Sequence, residues 1–128
     1  FVTELCDSRT FCRRSDVAQL HASGLGRGGN LNNTLVVDGD TILTPGGLRY
    51  ADEAVRHKML DALGDLSLAG APLIGRYTGD RAGHSLTNKL LHALFARADA
   101  YRMKLCDEEC SRRLPGVGAR RADIPAVA

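Results

Sequence analysis

The chain has 128 residues, 44% of them hydrophobic, which suits one small domain with its own core. The formal charge is only +2 with acids and bases interspersed, and 5% aromatics leave little for base stacking, so nucleic acid is excluded as the expected partner. No apolar run reaches the length of a membrane span and no leader pattern is present, so the expectation is a cytoplasmic protein.

In chain order, Phe1-Val2-Thr3-Glu4-Leu5-Cys6 alternates and predicts a short strand. Ser15 is the expected cap of a short helix with Asp16 in its first turn, Val17, Leu20 and His21 on one side, and Gly24 as its stop. Gly24, Gly26, Gly28 and Gly29 resemble a phosphate-binding fingerprint only superficially. No strand precedes them and no helix follows, so a loop is expected. Leu35-Val36-Val37 and Thr41-Ile42-Leu43 flank Asp38-Gly39-Asp40, the pattern of a β-hairpin. Pro45-Gly46-Gly47 is a loop.

The stretch from Val55 to Leu66 predicts the central helix, with Asp52 and Glu53 at its start as the helix dipole prefers. Val55, Met59, Ala62, Leu63 and Leu66 form an apolar stripe expected to face the core. His57, Asp61 and Asp65 step by four residues on nearly the opposite face, with Lys58 beside them. An imidazole and a carboxylate at that spacing can address one metal ion from a rigid backbone, although such a face is more often simply solvated. Gly64 inside the helix costs stability relative to Ala, which close packing or site access would justify.

Leu73 to Thr78, entered through Pro72, predicts a second apolar strand. Gly79 to Gly83 then turns the chain into a last helix with Leu86, Leu90, Leu91, Leu94 and Ala98 as its buried stripe and His84 at its N-terminal end. Such a His alone is a capping or surface residue. A helix N-terminus disfavours its charged form and a neighbouring carboxylate favours it. Beyond Tyr101 periodicity is lost, and Arg112, Arg113, Arg120 and Arg121 suggest a mobile, weakly basic tail. The four cysteines, Cys6, Cys12, Cys106 and Cys110, are expected as reduced thiols. A structural metal at Cys106 and Cys110 lacks the usual further ligands.

Three ordered blocks carry a resemblance: Ser8-Arg9-Thr10-Phe11, Val55 to Leu66, and Ala82-Gly83-His84-Ser85-Leu86-Thr87-Asn88-Lys89-Leu90-Leu91. Together, at their separations, they resemble the second domain of UDP-3-O-acyl-N-acetylglucosamine deacetylase, the zinc hydrolase of lipid A synthesis. The resemblance runs from Phe1 to about Tyr101, and faintly over Ile124 to Ala128.

It implies an α+β fold, a two-layer sandwich with helices on one face of a small mixed β-sheet. Residues 1–104 would be part of the family's second domain, with an insert at about 11–34 for the acyl chain, and 105–128 a tail. It implies Zn2+ as cofactor with His57 and Asp61 as ligands. His84, paired with Asp65, would stabilise developing charge and protonate the leaving amine, and Thr10 would contact the oxyanion. Lys58 would meet the sugar or diphosphate and Phe11 the nucleotide-bearing end. Val17, Leu20, Leu31 and Val36 would line the acyl passage, for which Arg13 and Arg14 are a poor match.

The family's third zinc ligand, a His, and its general base, a Glu directly before it, belong to its first domain, and this chain has no Glu-His pair. The chain would therefore hold only part of an active site and be inactive alone, with the missing first domain as its partner. The alternatives are a non-catalytic module for nucleotide sugar or acyl chain, and a metal-binding regulatory fragment built on the cysteines.

Overall fold

The computed structural model describes residues 1–114, which fall into two compact units: Asp7–Met59, and Phe1–Cys6 with the residues from Leu60 onward. The four α-helices and the small mixed sheet of the described residues make the α+β class expected from the resemblance.

The sheet lies within Asp7–Met59. Strand β1 (Thr10–Arg13) runs parallel to β2 (Thr34–Asp38), with Thr10 opposite Thr34 and Arg13 opposite Val37. A parallel pair needs a crossover, and residues 14–33 supply it. The crossover holds a 3-10 turn at Arg14–Asp16, helix α1 (Val17–Ala22) and the glycine loop. Ser15 does not cap α1; its hydroxyl donates to Asp16 Oδ1 at 2.9 Å, and the turn beginning at Arg14 leads into the helix instead. Gly24 follows α1 with φ +77°, a left-handed conformation that a residue with a Cβ adopts at a cost. Three asparagines then shape the entry to β2. Asn30 Oδ1 accepts from the Asn32 amide and Asn33 Oδ1 from the Asn30 amide, both at 2.8 Å, side chains mimicking a backbone turn.

Strand β3 (Thr41–Ile42) closes the expected hairpin, with Asp38 opposite Thr41. Gly39, at φ +58°, occupies the first position of the two-residue loop, where a type II′ turn needs it. The chain then leaves the ladder, but β2 is not left unpaired. Buried Thr44 donates its hydroxyl to Thr34 O at 2.8 Å and accepts from the Val36 amide at 2.9 Å. One side chain thereby satisfies two groups of β2 that a longer β3 would have paired. Leu35, at 1% exposure, and Val36 form the centre of this small core.

Helix α2 (Glu53–Leu66) begins in this unit and continues into the other. Its start is where the acidic residues predict it, but its expected core stripe is not buried. Val55, Met59 and Leu63 are 59, 52 and 50% exposed, while His57, Asp61 and Asp65 are half-buried. Glu53 is fully buried, so the polar side of α2 is the one packed inward at its N-terminal end. Gly64 has open space where a Cβ would stand, so close packing does not explain it.

The second unit opens with turns rather than the expected strand: the Leu5 amide donates to Phe1 O at 2.8 Å, and Leu5 is buried. After a 3-10 turn at Ser67–Ala69, the expected strand at 73–78 is irregular chain with a bend at Gly75. No partner strand is present for it among the described residues, Leu73 and Ile74 are exposed, and Gly75 interrupts it. An apolar run becomes a strand only where a ladder receives its backbone groups.

Helix α3 (His84–Phe95) buries Leu91 and, unexpectedly, Thr87, whereas Leu86 and Leu90 are exposed, Leu94 is half-buried and Ala98 lies past the helix end. The tail is not wholly irregular. Asp107 caps a short helix α4 (Glu108–Arg113) by accepting from the Cys110 amide. Arg120, Arg121 and the last residues lie outside the described residues. No helix among the described residues is long and apolar enough to cross a membrane.

Candidate functional site

Within Asp7–Met59, the central feature is a buried ion pair. Glu53 accepts from the Arg9 amide at 3.0 Å, from Arg9 Nε at 2.9 Å, from Arg9 Nη2 at 3.1 Å and from the Arg49 amide at 2.7 Å. Arg9 Nη2 also donates to Gly47 O at 2.6 Å. Burial pushes the Glu53 carboxyl up, but the hydrogen bonds and charge of Arg9 and the Arg49 amide outweigh it and hold the group at about 2. The pair ties the N-terminus of α2 to the residues that lead into β1.

One turn further along α2, His57 Nδ1 donates to Ser8 O at 2.9 Å. A carbonyl can only accept, so this bond places a proton on Nδ1. The Phe11 ring stands edge-on to the His57 ring, centroids 6.5 Å apart and planes at 83°. Phe11 is 41% exposed and Thr10 is exposed beside it at the start of β1. Lys58 is half-buried on α2. Of the residues expected along the acyl passage, Val17 and Leu20 are half-buried, Leu31 is exposed, and Val36 belongs to the sheet core.

Within the second unit, His84 is the first residue of α3, after Gly83 in extended conformation. Its Nδ1 donates to both carboxylate oxygens of Asp65, at 2.8 and 2.9 Å. Its Nε2 lies 4.0 Å from Asp61 Oδ1. The imidazole is 71% exposed, whereas the two carboxylates are 18% exposed. The sequence neighbourhood thus becomes a spatial one: an exposed helix-start histidine with Asp65 on its Nδ1 side and Asp61 near its Nε2.

The sequence model of the family described as UDP-3-O-acyl N-acetylglycosamine deacetylase matches residues 1–96. The chain belongs to this deacetylase family. A protein named UDP-3-O-acyl-N-acetylglucosamine deacetylase from Phenylobacterium zucineum (strain HLK1) is 53% identical over 109 residues, covering 85% of this chain and 37% of the relative. A namesake from Neisseria meningitidis serogroup A is 46% identical over 110 residues, covering 85% and 36%. Another, from Anaeromyxobacter dehalogenans (strain 2CP-C), is 41% identical over the whole chain and 40% of its own length. The chain therefore spans about two-fifths or less of the deacetylases it matches.

His57 and Asp61 are one turn apart on a continuous helix, and the Nδ1 bond to Ser8 O is the kind of support a metal-binding imidazole uses. No group of three or more His, Cys, Asp or Glu side chains that could hold a metal occurs among the described residues, at Cys106 and Cys110 or elsewhere.

Sequence reasoning placed Glu53 at the start of the helix but gave it no buried partner, and assigned no role to Ser8 or Arg9. Arg9 and Glu53 are 44 residues apart, and no local pattern marks such a pair. The one available signal was an arginine inside the block Ser8-Arg9-Thr10-Phe11 and an acid at a helix start. Ser8 Oγ is buried without a hydrogen-bond partner.

Proposed function

We propose that this chain carries one part of the active site that removes the N-acetyl group from UDP-3-O-(3-hydroxyacyl)-N-acetylglucosamine in lipid A biosynthesis, releasing acetate. The observation that carries this reading is the His84–Asp65 pair, supported by membership of the deacetylase family.

In this reading His57 Nε2 and the Asp61 carboxylate hold Zn2+. The bound ion supplies Lewis acidity toward the amide carbonyl and an activated water. The Thr10 hydroxyl donates to the carbonyl oxygen as negative charge develops on it. Asp65 keeps the His84 Nδ1 proton in place, so that Nε2 is the edge that faces the reaction and hands a proton to the departing amine. Lys58 offers a point charge to the sugar or diphosphate, and Phe11 packs against the nucleotide-bearing end. Val17, Leu20, Leu31 and Val36 take the acyl chain. The general base and the third ligand come from chain outside these residues, and the site of action is the cytoplasm.

The test replaces the matching segment of the Phenylobacterium relative with this chain. The chimaera is expected to release acetate from the UDP-sugar. Chelation should abolish turnover, and His84→Ala should reduce it about 10²- to 10⁴-fold. The 128-residue chain alone is expected to release none; turnover by it would overturn the partial-site reading. A chimaera that folds by circular dichroism and binds the UDP-sugar without turnover would replace the proposal with a non-catalytic binding module.

A further inference from the structure

The two ends of one peptide group meet two side chains of α2. The amide that joins Ser8 to Arg9 gives its N–H to Glu53 Oε1 at 3.0 Å, and its carbonyl oxygen accepts from His57 Nδ1 at 2.9 Å. No peptide bond among the described residues is cis, so the N–H and C=O of this one point in opposite directions. Glu53 and His57 are four residues apart on one helix. That step is about 6 Å along the helix axis, and a peptide group lying along this face spans it with one end on each side chain.

Donor and acceptor chemistry sets the direction of the peptide. Glu53 is fully buried. Its ionised carboxylate can only accept, and the groups bonded to it are donors: the Arg9 amide, Arg9 Nε and Nη2, and the Arg49 amide. A flipped peptide would turn the Ser8 carbonyl oxygen toward that buried charge and leave the Arg9 N–H without it. Glu53 therefore holds the carbonyl toward His57, and a carbonyl demands a proton on the nitrogen that faces it. Arg9 Nη2, bonded to Gly47 O at 2.6 Å, and the Arg49 amide fix the carboxylate in turn. The Ser8 side chain takes no part, since its buried Oγ has no hydrogen-bond partner.

We propose that Glu53 is the positioning residue of His57, acting through the Ser8–Arg9 peptide to orient the imidazole and keep a proton on Nδ1. This role rests on the reading of His57 as a residue of the deacetylase site. Glu53 acts on the ring from behind, by fixing which end of a peptide faces it. In the neutral imidazole the lone pair is then left at Nε2.

The test records long-range proton–nitrogen correlations of the histidine rings in the isotope-labelled 128-residue chain, without metal, at about pH 8, above the ordinary imidazole range. His57→Gln assigns the signals by removing one ring. In the unaltered chain His57 should show a protonated Nδ1 and an unprotonated Nε2. The opposite tautomer there would overturn the proposal without recourse to any variant. Glu53→Gln removes the charge and sets an NH2 among converging donors, so the Nδ1-protonated population should fall about two-fold or more. Thr44→Val is the control for a merely structural role. It removes two hydrogen bonds to β2 in the same unit and should lower stability, yet leave the His57 signals unchanged. Ser8→Ala should leave them unchanged as well, because the carbonyl and not the hydroxyl makes the bond. An unaltered tautomer in Glu53→Gln, or an equal change in Thr44→Val, would reduce Glu53 to a structural residue and overturn the proposal. In the chimaera, Glu53→Gln should lower turnover about 10- to 100-fold. A chimaera inactive with Glu53 in place would count against the deacetylase reading alone, because the tautomer is read without turnover.

Discussion

Glu53 is the residue on which the Asp7–Met59 unit depends most. Its carboxylate is fully buried and takes four hydrogen bonds, three from Arg9 and one from the Arg49 amide. Removing one partner of such a pair leaves the other charge buried and uncompensated, so Glu53→Ala should cost about 3–5 kcal/mol, measured by denaturant unfolding. The pH dependence has a definite sign. The folded carboxyl is held at about 2, below its ordinary value of 4.5, so its stabilisation is complete above that ordinary value. It is lost as pH falls from about 4.5 through about 2. The thermal midpoint should drop across that window, and Glu53→Gln should flatten the drop. An unchanged profile in that variant would mean that other acids carry it. His57 depends on the same clamp, because Ser8, whose carbonyl accepts from Nδ1, is next to Arg9.

At the scale of elements, α2 is the most instructive. Its existence and start followed from its acidic first turn and helical periodicity, yet the face it buries did not. Periodicity tells which residues share a face, not whether something covers that face. Gly64 lies in this helix with open space around its Cβ position. Gly64→Ala should therefore raise stability by about 0.5–1 kcal/mol, read as a higher urea midpoint with unchanged slope. A loss of stability would point to a requirement for glycine that the geometry lacks. The hairpin was legible because Gly39 meets a purely local demand for positive φ. The run at 73–78 was not, because strand formation needs a partner, and none is present among the described residues.

Among the described residues of the whole molecule, many large apolar side chains are exposed, from Phe1 to Leu105. Val55, Met59 and Leu63 lie outward along one side of α2. The chain should bind the hydrophobic dye ANS, and charged substitutions at these three positions should reduce the fluorescence while leaving helix content unchanged by far-UV circular dichroism. Undiminished fluorescence would move the dye site to other exposed residues, such as Met103 and Leu105. The sequence alone determined what short-range physics controls: the helices around the central and last blocks, the hairpin at Gly39, the glycine stop at Gly24, and the ordered motifs that mark the deacetylase family. Those depend on φ preferences, on one-turn spacing and on residue identity. Tertiary structure decided which face of α2 turns inward, that Thr44 completes the pairing of β2, that Arg9 and Glu53 meet, and that His84 grips Asp65 through both oxygens. Each of these rests on a partner many residues away, and burial and pairing are properties of the partner as much as of the residue.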